Sequence, residues 1–137
     1  MRIAIACLLL AVSMQCQAQA TYVNDLIDAS GQLGALRARI DRAKQDDFDE
    51  RMEIKRGLAL LKRNLYRLSE EAQGNRIALL QAFKPVDQNT TLAVSAIAAL
   101  ILSGDLLGAL LDTGSPVFAQ QAQAATSIAR ALQQEMQ

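Results

Sequence analysis

The sequence lacks histidine and tryptophan altogether, and its 137 residues include only two tyrosines and three phenylalanines. Histidine is the commonest general base in enzymes and a frequent metal ligand, so its absence removes the usual centre of a catalytic site. Lysine and arginine together number 14, as do aspartate and glutamate, and the formal net charge is zero. Without a basic excess the chain has little of the electrostatic attraction that nucleic-acid binding requires. We expect neither an enzyme nor a nucleic-acid partner.

Cysteine is scarce as well, because Cys7 and Cys16 are the only two and both lie near the amino terminus. That placement excludes a disulfide framework or a zinc site in the body of the protein. The calcium-loop pattern, the paired-histidine zinc pattern and a glycine-rich phosphate loop are all missing. The serines have no histidine to activate them as nucleophiles. The sequence therefore predicts no metal, no cofactor and no small-molecule substrate.

Residues 1–20 have the features of a secretory signal peptide. Arg2 supplies a positive start, residues 3–12 form an apolar run, and the small residues Ala18 and Ala20 form a cleavage site. The run of ten residues is shorter than the about twenty that a membrane span needs. The sequence predicts cleavage after Ala20 and a periplasmic or secreted mature chain. The alternatives are an uncleaved anchor and lipidation at Cys16, which the bulky residues before that cysteine disfavour.

The mature chain, residues 21–137, is predicted to be a single all-helical domain. Alanine, leucine, glutamine, arginine and glutamate dominate it, and no proline occurs between Tyr22 and Phe83. Apolar residues recur on a seven-residue grid, which predicts a long amphipathic helix of coiled-coil type over about 22–83. The grid and its companion positions comprise Leu26, Leu33, Leu36, Ile40, Ile54, Leu58, Leu61, Leu65 and Leu68.

A polar stretch around residues 44–50 interrupts the apolar grid. A continuous helix is one interpretation, since Asp47 and Arg51 have the spacing of an ion pair on a solvated face. A break is the other interpretation, because Asp47 and Glu50 have the spacing of a capping box at a new helix start. No glycine or proline marks a turn here, so we favour one long helix over about 22–83 and leave a bend near 44–50 open.

After Lys84 the sequence becomes almost free of charge. Residues 92–111 contain Asp105 as their single charged residue, and they predict an apolar helix over about 91–111, capped by Asn89 or Thr90. A turn then leads to Pro116, which predicts a last helix over about 116–136. The expected fold is all-α, a helical hairpin or bundle, with a charged helical arm at 21–84 and an apolar hairpin at 90–137.

The apolar segment 92–111 has three interpretations. We favour a buried core helix or oligomer interface, in which every face of the helix is apolar because every face is packed against protein. Membrane contact is the second interpretation, in which Asp105 would be the costly intramembrane group. In the third, Gly104 and Gly108 form a close-packing face for a partner helix. Asp105 has a further alternative role as the cap of a short second helix.

These features together predict an exported, non-enzymatic helical protein that acts through helix–helix association, as a periplasmic or secretion-apparatus accessory or a chaperone-like component. The alternative is a membrane-active protein, a translocator or lytic factor, that inserts segment 92–111. We expect a homo-oligomer or a heteromeric protein complex, with membrane contact as the alternative. The candidate interaction residues are Leu33, Leu36, Ile40, Leu61, Leu65, Leu68, Gly104, Asp105, Gly108 and Phe118.

Overall fold

Helix-forming residues and well-placed helix ends produce an all-α bundle, as the sequence predicts. The computed structural model describes the backbone of residues 2–136 and the side chains of residues 22–136. The side chains of the predicted signal peptide, residues 1–20, lie outside that range. The described backbone contains no strand, and its helices are α1 (Arg2–Arg42), α2 (Phe48–Gln81), α3 (Gln88–Thr113) and α4 (Pro116–Glu135).

The predicted segment 22–83 is helical, but it is not the one continuous helix that we favoured, because a turn at residues 43–47 divides it into α1 and α2. The other interpretation, a break at this place, is the one that the structure has. Asp47 caps the start of α2, because its Oδ1 accepts a hydrogen bond of 3.2 Å from the backbone nitrogen of Glu50. The Glu50 side chain does not return to Asp47, as it would in a capping box. It instead accepts two hydrogen bonds from Arg39 near the end of α1, at 2.8 and 3.0 Å.

The Arg39–Glu50 pair closes the turn from both sides. These hydrogen bonds lower the pKa of the Glu50 carboxyl below its ordinary value, because they stabilise its charged form. At the opposite end of the same helix pair, the Asn75 amide donates to the Tyr22 hydroxyl. Helices α1 and α2 therefore run antiparallel along their length, and the charged segment folds back on itself.

Helix α3 is central, because it packs against α1, α2 and α4. It runs antiparallel to α2, since Arg51 lies beside Leu111 and Lys62 lies beside Asp105. Its cap is Asp87, whose Oδ2 accepts from the backbone nitrogen of Thr90 at 3.1 Å. The predicted caps, Asn89 and Thr90, are therefore wrong, since α3 already begins at Gln88.

The core lies where the leucine stripes of α1 and α2 meet α3. Its largest fully buried apolar side chains are Leu26, Leu33, Ile54, Ile97, Leu100 and Leu107. Helix α4 closes the other side of α3 with buried alanines, and Ser115 and Pro116 begin it at the predicted positions. Burial of the stripes against an internal helix provides the main driving force for this arrangement.

Candidate functional site

The leucines proposed as interaction residues are covered within the chain. Five leucines have side chains that are less than 9% exposed and belong to one core formed by α1, α2 and α3. These leucines are Leu33, Leu36, Leu61, Leu65 and Leu68. Ile40 and Phe118 are half-buried and pack against the same core. A partner would meet none of these five leucines unless the bundle opened.

Gly104 and Gly108 do not mediate a close helix approach inside the chain. A Cβ atom added to Gly104 would lie 3.9 Å from Cδ2 of Leu33, which is an ordinary van der Waals distance. At Gly108 a Cβ atom would meet nothing within 4 Å. The space beside Gly108 is therefore open, and the close-packing role of this pair remains a prediction about a partner helix.

Basic residues of α2 pair with the acidic residues of α3. Lys62 Nζ lies 2.5 Å from Asp105 Oδ1, and Lys55 Nζ lies 3.1 Å from Asp112 Oδ1. The hydrogen bond to Asp105 raises the pKa of Lys62. Asp105 is 47% exposed at its side chain and lies inside the continuous helix α3, so it does not cap a second helix.

The end of α3 is held by a third basic residue of α2. The Arg51 guanidinium donates a hydrogen bond of 2.5 Å to the Leu111 carbonyl oxygen, one of the last carbonyls of the helix. A cation at this end also interacts favourably with the helix dipole. Together with the two ion pairs, this contact fixes α2 along the carboxyl-terminal half of α3.

Small residues join α3 to α4. Ser103 is 1% exposed, and its hydroxyl donates to the Ala122 carbonyl oxygen at 3.0 Å. It also shares a 2.7 Å hydrogen bond with the Thr126 hydroxyl. The buried face of α4 consists of Ala122, Ala125 and Ala129, whose short side chains let the two helices lie close together.

One side of the α3–α4 hairpin stays uncovered. Ser103 faces α4 and Gly104 faces Leu33 of α1, and successive helix residues are about 100° apart. Leu102 therefore faces away from α1, and its side chain is 53% exposed. On α4, Val117 and Ile128 are 55% and 56% exposed.

Helix α3 has the length and composition of a membrane span. It is the one helix among the described residues that meets both criteria, with a mean hydropathy of 2.1 in its most apolar window. Only 39% of that window is buried in the bundle. A soluble core helix satisfies the same criteria, so length and hydropathy leave both interpretations open.

A second uncovered apolar group lies at the carboxyl end of α2, and it is absent from the residues predicted as interaction sites. Ile77, Leu80 and Phe83 are 52%, 55% and 98% exposed. They do not occupy the heptad positions that continue the buried stripe through Leu68 and Ala72. This difference in position was visible in the sequence and could have identified them. Apolar residues that continue beyond a helix's core-facing stripe indicate a surface rather than a core.

Acidic side chains do not gather into a metal site in the described part of the chain. Among residues 22–136, no group of three or more histidine, cysteine, aspartate or glutamate side chains is arranged to hold a metal ion.

The uncovered side of the α3–α4 hairpin and the end of α2 are the candidate functional surfaces, because their apolar side chains are exposed. Comparison with protein-family models, with curated proteins and with solved structures finds no match to this chain.

Proposed function

We propose that this is an exported, non-enzymatic helical protein that acts through helix–helix association, as an accessory or chaperone-like component of a periplasmic or secretion apparatus. The observation that carries the proposal is a second heptad stripe, which lies on α4 and is exposed. Its members are spaced alternately by four and three residues, and they are Val117, Gln121, Ala124, Ile128 and Ala131. This is the spacing with which one helix packs along another.

The chemistry of this α4 stripe suits a partner helix. Arg130 is the one charged residue of α4 before its last residue, Glu135. Little charge must therefore be desolvated when a partner covers the stripe. Ala124 and Ala131 leave room for close approach, while Val117 and Ile128 supply the apolar area. The partner is a second amphipathic helix, from another copy of this chain or from a different protein.

The test is a charge placed in the middle of the α4 stripe. Ile128→Glu puts a carboxylate into the proposed contact, and burying it would cost several kcal/mol, so we expect the assembly to dissociate. Light scattering coupled to size exclusion measures the mass of the purified wild-type and variant proteins. We expect a mass above the 14.8 kDa of one chain for the wild type and a monomer for the variant.

Gln123→Glu is the matched control, since it adds the same charge to the same helix at an exposed position outside the stripe. It should leave the assembly intact. A wild-type protein that elutes as a monomer with no bound partner would contradict the proposal, as would an Ile128→Glu variant of undiminished mass.

A second candidate function is membrane activity through insertion of α3, which its hydropathy and its partial burial favour. Insertion requires α3 to leave Lys62, Lys55 and Arg51 of α2. An aspartate in the middle of a membrane costs about 2.5–3.5 kcal/mol, so Asp105 is the main obstacle within the helix.

Asp105→Leu separates the two functions. The side chain is half-exposed and its ion pair is on the surface, so its loss should change the free energy of unfolding by less than about 1 kcal/mol. Insertion into vesicles, measured by flotation and dye release, should rise by at least about tenfold if α3 crosses the membrane. Asp112→Leu, near the end of α3, is the control with a smaller expected gain. Failure of both variants to bind vesicles would remove this function.

A further inference from the structure

The carboxyl end of α2 presents apolar side chains to solvent at one end of the bundle. We define the α2 tip as residues 76–84, which include Ile77, Leu80 and Phe83. Ile77 and Leu80 are three residues apart and so share one side of the helix. Phe83 lies directly after Ala82, the residue that caps the end of α2, and its side chain is 98% exposed. The tip therefore projects an aromatic ring beside two aliphatic side chains.

The backbone at Phe83 has the conformation that normally selects glycine. Its φ angle is 55°, and the backbone nitrogen of Lys84 donates to the Leu79 carbonyl oxygen at 2.9 Å while that of Phe83 donates to Leu80 at 3.1 Å. These two bonds define a Schellman motif with phenylalanine at the glycine position. A bulky residue in the left-handed region is strained, and the exposed ring gains no packing that would offset the strain. An unfavourable conformation that holds an aromatic ring in solvent points to a contact outside the bundle.

The charge around the ring indicates what that contact is. Residues 72–86 contain two basic residues, Arg76 and Lys84, and no acidic one; the flanking acids are Glu71 and Asp87, and Asp87 is engaged in capping α3. Neither forms an ion pair with a side chain of residues 22–136. Apolar side chains with flanking cations suit the surface of an anionic bilayer. The apolar side chains enter the membrane interface, and the cations contact the phosphate head groups.

We propose that the α2 tip docks on a membrane surface that contains anionic phospholipid. A second copy of the chain fits this surface less well, because a two-fold contact would bring Arg76 and Lys84 of both copies together with no acidic residue of the tip between them. The docking stands independently of the association through α4. It also differs from insertion of α3, since only side chains at the end of α2 enter the interface.

The decisive variant is Phe83→Gly, which restores the residue that the backbone conformation favours and removes the ring. Full-chain wild type and variant are compared by flotation with vesicles of equimolar phosphatidylglycerol and phosphatidylcholine, so that residues 3–12 contribute equally to both. We expect vesicle binding to fall by at least about tenfold, the effect of losing one buried aromatic side chain. The thermal midpoint should stay the same or rise, which separates loss of docking from loss of folding.

Two further measurements identify the chemistry of the contact. Lys84→Glu should weaken binding by about tenfold, and vesicles of pure phosphatidylcholine should bind more weakly than the mixed ones. Leu102→Ser removes an apolar side chain that is 53% exposed on α3, away from the α2 tip, and should leave binding unchanged. The proposal is overturned if Phe83→Gly binds as the wild type does, if the two vesicle compositions bind equally, or if Leu102→Ser lowers binding instead.

Discussion

Leu61→Ala is expected to lower the free energy of unfolding by about 3 kcal/mol, whereas Leu60→Ala should lower it by less than about 0.5 kcal/mol. The two residues are neighbours on α2, but Leu61 is 4% exposed in the core and Leu60 is 60% exposed. Truncating Leu61 removes its burial and leaves a cavity between α2 and the helices packed on it. Urea denaturation followed by circular dichroism measures both variants against the wild type.

The variants Leu61→Ala and Leu60→Ala also distinguish a core within one chain from an oligomer interface. If the leucine stripe is covered by the chain's own helices, the loss in Leu61→Ala is the same at low and high protein concentration. If another copy covered the stripe, the size of this loss would itself change with protein concentration by mass action. A variant whose assembly mass drops while its stability stays unchanged would place the stripe in an interface and contradict this fold.

Ala122→Leu is expected to loosen α4 from α3 and to cost about 3 kcal/mol, at the upper end of the effects of overpacking. Ala122 is 2% exposed, and its carbonyl oxygen accepts the hydrogen bond from Ser103. A leucine side chain has no room there, so the helices must separate and the Ser103 hydroxyl loses its partner. The apolar surface of α3 then becomes accessible, and binding of a dye that detects exposed apolar surface should rise together with the loss of stability.

Gln123→Leu provides the control for this effect. It places a leucine directly after Ala122 on α4, at an exposed position outside the α4 stripe. The new side chain faces solvent, so stability should change by less than about 0.5 kcal/mol. Equal losses in the two variants would show that α4 tolerates no leucine anywhere, and the Ser103–Ala122 contact would then not be the cause.

The apolar patterns of the sequence were sufficient to predict the helices and most of the core. The seven-residue grid identifies Leu26, Leu33, Leu61 and Leu68 as one stripe, and all four are buried. The start of α4 was predictable because proline has a fixed backbone angle and suits the first helical position, where Pro116 lies. Local rules such as these need no knowledge of the partner helix.

The break between α1 and α2 was not decided by local rules. The charges near residues 44–50 fit a continuous helix and a new helix start equally well. The two bonds between Arg39 and Glu50, and the packing of the α1 leucines on α2, stabilise the break. Both depend on contacts that exist only after the chain has turned back, so neither could be read from spacing alone.

The candidate surfaces were predicted less well than the core. Asp105 stood out as a lone acid in an apolar run, but its partner Lys62 is 43 residues away in the sequence. The α2 tip was missed because Phe83 marked the end of a predicted helix and the offset of Ile77 and Leu80 from the buried stripe was not used. The backbone angle adds that a bulky residue occupies a glycine position. Surface function depends on which side chains remain uncovered, and that is known only once the helices have packed.

The central place of α3 affects the order in which the protein can fold. A chain is made from its amino terminus, so α1 and α2 emerge from the ribosome before α3. Until residues 88–113 follow, the hairpin of α1 and α2 has no third helix over its leucines, and an incomplete chain is prone to aggregate. The last fifty residues therefore complete a core that the first half of the chain cannot close, and a chain that stalls before Gln88 leaves the leucines of α1 and α2 without their third helix.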